Sequence, residues 1–292
     1  MSKSKKVVFF GSGPVAAASL ALLASDFTIE AIITKPKPPH HRGEVPVLEV
    51  AKKLELPVFT AANKQELDEL FAQKPVNSQL AILIDFGIIV SQKVIDYFGL
   101  GIINSHFSIL PQWRGADPIT FAVLSGQQTT GVSLMLLVEA MDEGPLLAYG
   151  EHEIPAKTTT PELTNELIKL SHVLLAETVP KYIAGELQPV AQNETGCEVS
   201  YSHKLVKSDG GVDFSKPARQ IEREVRAYQP WPKSQAKILG HDVIITKTRV
   251  AKDKGDGDLV MKCQPGWLEI QKLIAPSGRT MSGADFLRGY KR

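Results

Sequence analysis

Val7-Val8-Phe9-Phe10-Gly11-Ser12-Gly13-Pro14-Val15-Ala16 is an apolar run that turns on two glycines and enters an alanine-rich helical pattern. Val7–Phe10 reads as a strand and Leu20–Ala24 closes a small helix, so the chain opens on a strand–turn–helix unit. The alternation continues outward. Thr28–Thr34 reads as a strand, Val47–Leu54 as a helix, Pro57–Phe59 as a short strand and Gln65–Phe71 as a helix. Leu80–Ile84 and Gly101–His106 are further strands, with Gln92–Tyr97 helical between them. Such regularity predicts right-handed crossovers and a mostly parallel, Rossmann-like α/β sheet covered by helices on both faces. After a helix near Ile119–Leu124, Gly131–Val138 and Leu146–Ile154 flank the tight turn Asp142-Glu143-Gly144-Pro145. So short a connection makes these two strands antiparallel and the sheet mixed. Thr160 as N-cap and Pro161 at the first helical position open a long helix that Gly185 ends.

From about Leu187 to Ser200 the pattern dissolves into polar, aperiodic sequence. Beyond it come one helix pattern, Ala218–Ala227, and short segments at Lys237–Leu239, Val243–Val250, Leu259–Lys262 and Leu268–Leu273. Short strands with polar turns predict a second, smaller β-barrel or sandwich. The expected division is residues 1–186, a linker at 187–203 and a second domain at 204–292.

Composition narrows the classes. No window approaches the roughly 18 unbroken apolar residues of a membrane helix. The first residues lack a secretory pattern. Cys197 and Cys263 are too few for a disulfide framework or a thiolate metal site, so a reducing cytoplasm is expected. The chain has 33 basic and 32 acidic side chains, a formal charge of +1. That balance hides an asymmetry. Residues 200–292 hold 18 Lys+Arg and 10 Asp+Glu, giving +8, and the rest hold 15 and 22, giving −7. A basic β domain is a plausible polyanion-binding surface.

Gly11–Ala16 fits the loose dinucleotide fingerprint, in which glycines let a loop approach phosphate at a helix N-terminus. The acid that should close the second strand is absent. Ile33-Thr34-Lys35 stands there, so a tight strand–helix turn is the favoured reading and an NADP oxidoreductase the rival. The stretch Ile103-Asn104-Ser105-His106-Phe107-Ser108-Ile109-Leu110-Pro111 is more informative. Two-residue spacing puts Asn104 and His106 on one face of a strand, at the edge where α/β sheets deliver side chains to their carboxyl-end crevice. Asp142 emerges from the neighbouring strand pattern. The three are expected to converge if the crossover helix is as read, with no serine or cysteine nucleophile, because Ser105 should point to the opposite face. His40-His41 has no carboxylate at ligand spacing, and no metal is expected.

Asn104–Pro118, with its Asn-x-His followed by Ser108-Ile109-Leu110-Pro111, resembles the signature of formyltetrahydrofolate-dependent transformylases. Gly131-Val132 to Met141-Asp142-Glu143-Gly144-Pro145 is similar to that family's Asp-bearing segment. Tyr201–Leu205, Val212-Asp213-Phe214, Arg226–Pro232 and Ala275–Ala284 resemble its methionyl-tRNA-formylating branch. The resemblance implies formyl transfer from 10-formyltetrahydrofolate to the α-amine of methionyl-initiator tRNA; a monomer is expected. It implies a formyltransferase domain and an OB-like barrel that helps hold tRNA. It implies Asn104, His106 and Asp142 as catalytic residues. Ser108, Ile109, Leu110, Pro111, Phe86, Gly87, Ile88, Ile89 and Val90 would border the folate, and Arg42, Lys204, Lys207 and Arg223 the tRNA. The chain departs from the family at Asp85-Phe86-Gly87, where Ala-Tyr-Gly is usual, and in a shorter Lys35–Pro46 loop. The alternatives are a formyltransferase acting on an amino sugar nucleotide and a non-catalytic RNA-binding protein.

Overall fold

The computed structural model describes residues 6–39 and 43–290. His40, His41 and Arg42 therefore lie outside the described residues. Two compact units are present: one comprises Met1–Arg114, Gly131–His152 and Asn165–Tyr201, the other Gly115–Thr130, Glu153–Thr164 and Ser202–Arg292.

The first unit carries the strand–helix series β1 (Lys6–Phe10), α1 (Pro14–Leu23), β2 (Thr28–Thr34), α2 (Pro46–Lys53), β3 (Val58–Thr60), α3 (Lys64–Ala72), β4 (Ala81–Leu83), α4 (Gln92–Tyr97) and β5 (Ile102–His106). The chain then forms β6 (Arg114–Gly115), α5 (Pro118–Ser125), β7 (Thr129–Leu136), β8 (Leu146–Glu153) and α6 (Thr160–Ala184). The main sheet has seven strands in the order β3-β2-β1-β4-β5-β7-β8. Its first five strands pair in parallel. β7 runs antiparallel to β5, and the Leu136–Pro145 and Gln128–Ile154 backbone bonds set β8 antiparallel to β7. The mixed sheet is as expected from the short Asp142 turn.

Local sequence explains several boundaries. Asn63 caps α3 by accepting from the Glu66 amide at 3.0 Å, and Glu66 reaches back to the Ala62 amide at 2.8 Å. α6 begins at Thr160, one residue earlier than an N-cap at Thr160 allows. The residue before it, Thr159, is tied through its amide and hydroxyl to Glu162. Gly185, at φ +80°, ends that helix in a conformation that favours glycine. Phe10, Phe71, Phe86 and Phe98 pack edge-on and stacked over the parallel strands, in a core shared with Ile33 and Ile102.

The Gly11-Ser12-Gly13 turn has a definite job. The Ser12 and Gly13 amides both donate to the Asp85 carbonyl, at 2.9 and 3.2 Å. A side chain at Gly13 would run into the Asp85 carboxylate. Two amides of the glycine turn that could approach a dinucleotide phosphate are thus engaged by the protein's own backbone, which favours the turn reading.

After β9 (Tyr201–Ser202), whose Tyr201 closes the first unit, the second unit builds on α7 (Ala218–Ala227), β10 (Ser234–Ile238), β11 (His241–Ala251), β12 (Val260–Lys262), β13 (Trp267–Ile274), β14 (Thr280–Ser282) and α8 (Gly283–Tyr290). Strands β10 to β14 form an antiparallel five-stranded sheet, a half-barrel, around Ile221, Val225 and Phe286. β14 and α8 are absent from the sequence pattern above. Their signal is Ser282-x-x-Asp285, in which Ser282 Oγ accepts from the Asp285 amide at 3.1 Å. α7 is held to segments from the middle of the chain. Arg223 Nη1 donates to the Ser125 carbonyl at 3.1 Å and Arg226 Nη1 to the Thr158 carbonyl at 2.7 Å. Thr160 Oγ1 donates to the Ala227 carbonyl at 2.7 Å.

One buried-edge carboxylate makes the first unit pH-sensitive. Burial alone would raise the Glu30 pKa above its ordinary 4.5. The Ser78 hydroxyl, the Asn77 and Ser78 amides and the Lys6 ammonium outweigh it and pull the value down to about 2. A depressed folded-state value contributes stability above about pH 4.5 that is lost as pH falls toward 2. Glu30→Gln is expected to cost about 2 kcal/mol at neutral pH and to flatten acid unfolding over that window, as read by denaturant melts between pH 2 and 7. Identical melts for the two proteins at pH 7 would refute the role.

Candidate active site

β5 delivers the first two candidate residues. Asn104 and His106 sit one pleat apart on the strand, opposite Met135 and Ser133 of β7. Both are buried, at 7% and 6% exposure, which removes bulk water from their polar atoms. Asp142 arrives from the β7–β8 turn with φ +52°. The structure brings the three together. Asn104 Nδ2 lies 3.3 Å from Asp142 Oδ1, and His106 Nδ1 lies 3.7 Å from Asp142 Oδ2. Ser105, on the opposite face, bonds Ser171 of α6 at 2.7 Å, so no hydroxyl nucleophile joins them.

Hydrogen-bond chemistry fixes the orientation of each group. An ionised carboxylate only accepts, so Asn104 presents its amide nitrogen to Asp142 and keeps a second N–H for a ligand. His106 Nε2 lies 2.9 Å from the Trp113 carbonyl, which also only accepts. Nε2 therefore carries a proton, and the nitrogen available for chemistry is Nδ1, the one facing Asp142.

The loop after β5 is braced from behind. Ser133 Oγ accepts from the Leu110 amide at 2.9 Å and donates to the Ser108 carbonyl at 2.8 Å. Ser108 is fully buried, with its hydroxyl on the Gln112 carbonyl. Of the residues that the family resemblance places around a folate, Ser108, Leu110, Pro111, Phe86 and Val90 are buried framework. Gly87, Ile88, Ile89 and Ile109 offer surface, Ile89 most of all at 68% exposure. Among the described residues no group of His, Cys, Asp or Glu has the arrangement to hold a metal.

A residue overlooked in the sequence completes the site. Gln192, inside the polar stretch expected to be a linker, is 4% exposed. Its Nε2 donates to the Asp142 and Gly144 carbonyls, both at 2.8 Å. Its Oε1 accepts from Arg114 Nη2 at 2.7 Å and Nε at 3.1 Å. Arg114 Nη1 pairs with Glu143 at 3.1 Å. Ser200, near the end of the same stretch, bonds the Trp113 and Arg114 amides and the Pro111 carbonyl. No local signal marks Gln192, because its partners lie about fifty residues or more away in sequence.

The residues expected to meet tRNA are dispersed. Lys204 and Lys207 are exposed on the second unit. Arg223 is half-buried and caps the last turn of α5, and Arg42 lies outside the described residues.

The mixed α/β sheet thus brings an amide, an imidazole and a carboxylate together at one strand end, with no hydroxyl or thiol nucleophile among them. Residues 5–179 match the Formyl transferase family and residues 204–291 match Formyl transferase, C-terminal domain. The chain belongs to the formyl transferase family. The methionyl-tRNA formyltransferase of Magnetococcus marinus is 33% identical to it over 98% of this chain and 95% of the relative. That of Ectopseudomonas mendocina is 34% identical, with 98% and 95% coverage. Among solved structures, the N-formyltransferase from Helicobacter canadensis with folinic acid and dTDP-3-aminofucose shares the fold, with a TM-score of 0.66 at 18% identity over 94% of this chain and 95% of that one. HypX from Aquifex aeolicus with tetrahydrofolic acid gives 0.65 at 17% identity, over 98% of this chain and 47% of that one.

Gln192→Ala frees the Asp142 carbonyl and strips two bonds from Arg114. It is expected to lower formyl-transfer turnover by about 10- to 100-fold while leaving the KM of the acceptor nearly unchanged. Steady-state kinetics check this, and a wild-type kcat would remove Gln192 from the positioning of Asp142.

Proposed function

We propose that this enzyme transfers the formyl group of 10-formyltetrahydrofolate to the α-amine of methionyl-initiator tRNA. The relatives' methionyl-tRNA formyltransferase activity, at about one-third identity over nearly the full chain, supports the substrate pair. The observation that carries the chemistry is the meeting of Asn104, His106 and Asp142 at the carboxyl end of β5.

The nucleophile belongs to the substrate. An α-amine has an ordinary pKa of about 7.7–8.0, and esterification of the neighbouring carboxyl lowers it, so a neutral fraction is present without help. Attack on the formyl carbon forms a C–N bond and places a negative charge on the former carbonyl oxygen. The second N–H of Asn104 is one donor for that oxyanion, and the imidazolium form of His106, protonated on both nitrogens, adds its Nδ1–H. Loss of one such donor typically costs about 2.7–4 kcal/mol of transition-state stabilisation. Asp142 holds both donors in place and orders the water that takes the proton from the attacking ammonium. Collapse of the intermediate breaks the bond to the folate nitrogen, which leaves with a proton, and the amide product remains. The exposed edge of Gly87, Ile88 and Ile89 provides apolar surface for the flat pterin. We assign Lys204 and Lys207 of the basic second unit to RNA phosphates, where cations supply affinity with little sequence content.

Incubation with 10-formyltetrahydrofolate and charged initiator tRNA, followed by alkaline hydrolysis, should release formyl-methionine. Asn104→Ala, His106→Ala and Asp142→Asn should each lose about 10²- to 10³-fold in kcat while still binding folate by fluorescence titration. Wild-type turnover in any of the three excludes that residue. Formylation of an amino sugar nucleotide in place of the tRNA would assign the same site to that acceptor.

A further inference from the structure

Among the described residues of the second unit, Trp231 is the one exposed Phe, Tyr or Trp, at 53% exposure. Tryptophan is among the most thoroughly buried side chains on average, so an indole left outside a formed core calls for a reason. The loop around it is not loose. It joins α7 to β10, and it is pinned on both sides of the ring. Gln229 Nε2 donates to the Thr246 carbonyl at 2.9 Å, and the Lys233 amide donates to the Tyr228 carbonyl at 2.9 Å. Pro232 and Ser234 are buried. The backbone is thus fixed while the indole stays open, a surface that is ready before any ligand arrives.

The surroundings are basic. The Val212 amide donates to the Gln235 carbonyl at 2.8 Å, and Gly211 bridges Gln235 in parallel, so residues 207–212 run beside residues 232–235. A side chain at Gly210 would strike the Lys233 carbonyl and touch Pro232, which sets how closely the two segments approach. Lys207 begins the 3-10 turn that Gly210 ends, and Lys233 follows Pro232; both lysines are exposed. The acid here, Asp209, is engaged by the Val206 amide at 2.8 Å and lies 3.8 Å from His203 Nε2. A flat aromatic face on a loop that carries one exposed lysine and runs beside a segment that carries another suits a nucleobase with its flanking phosphates. An apolar protein ligand would leave those lysines facing nothing of opposite charge.

We propose that Trp231 is a stacking platform for an unpaired base of the substrate RNA, with Lys207 and Lys233 meeting the adjacent phosphates. This rests on the RNA-substrate reading above. Base–aromatic stacking tolerates any base, since each has a π-face, and truncating such a ring typically weakens binding by roughly 5- to 150-fold.

The test uses the full chain and a fluorescein-labelled six-residue oligoadenylate, followed by anisotropy. Trp231→Ala is expected to weaken binding at least about ten-fold, whereas Trp231→Phe, which keeps a ring, stays close to wild type. Lys207→Gln should reduce the slope of log K against log salt by about 0.7. Trp231→Ala should raise the KM for charged tRNA by a factor similar to its effect on the oligonucleotide. The proposal is overturned if wild type does not bind the oligonucleotide, if Trp231→Ala binds it within two-fold of wild type, or if a duplex of equal length binds with the same dependence on Trp231. Wild-type protein that binds the oligonucleotide through Trp231 but formylates no charged tRNA would defeat the enzymatic reading and leave the platform standing. Formylation that proceeds with RNA binding indifferent to Trp231 would defeat the platform alone.

Discussion

A buried guanidinium organises the candidate active site. Arg114 is 9% exposed, and a charge so placed must be paired and hydrogen-bonded or the surrounding structure will not hold it. It meets that demand with Gln192 on two nitrogens and Glu143 on the third. The same Gln192 then has one amide group left, and it spends this on the carbonyls of Asp142 and Gly144. The need to satisfy one cation therefore fixes the backbone of the turn that carries the carboxylate. Gly144 lets the turn close, because a side chain there would collide with the Leu136 carbonyl. Asp142 itself sits at φ +52°, a conformation that costs free energy for a non-glycine residue and persists only where its surroundings over-determine it.

The parts of this site that sequence reveals are those governed by a local period. Asn104 and His106 share a face because strand side chains alternate, and the Asp142 turn is legible because four residues suffice to reverse a strand. The mixed sheet is legible from element order, and the formyl transferase family from motifs that stay contiguous in the chain, whereas the second unit is legible only as a small β domain. Gln192 obeys no such rule. It lies in an aperiodic stretch, and its importance comes from partners at Arg114, Asp142 and Gly144 that only the folded chain brings near. The membership of the second unit was hidden for a similar reason. Residues 115–130 and 153–164 join it because Arg223 and Arg226 of α7 reach carbonyls at Ser125 and Thr158, bonds that join residues 68 or more positions apart. Gly13 shows the opposite error that sequence invites. A glycine-rich turn looks built for phosphate, yet here the close approach it permits is that of Asp85.

The charge asymmetry takes on a sharper meaning in three dimensions. Residues 200–292 carry a formal +8, but several of those cations are committed internally. Arg223 caps α5, Arg226 is bidentate to Glu222, and Arg249 clasps Asp256 and Glu269. These are the planar, fork-like cations best suited to reading a phosphate with fixed geometry. What remains outward at the Trp231 loop is lysine, a flexible point charge. Lysines attract a polyanion without dictating its orientation. A rigid group that contacts something other than phosphate would add the orientation that point charges lack. An indole on a pinned loop meets that requirement, since stacking constrains a base in plane and depth while leaving its identity unread.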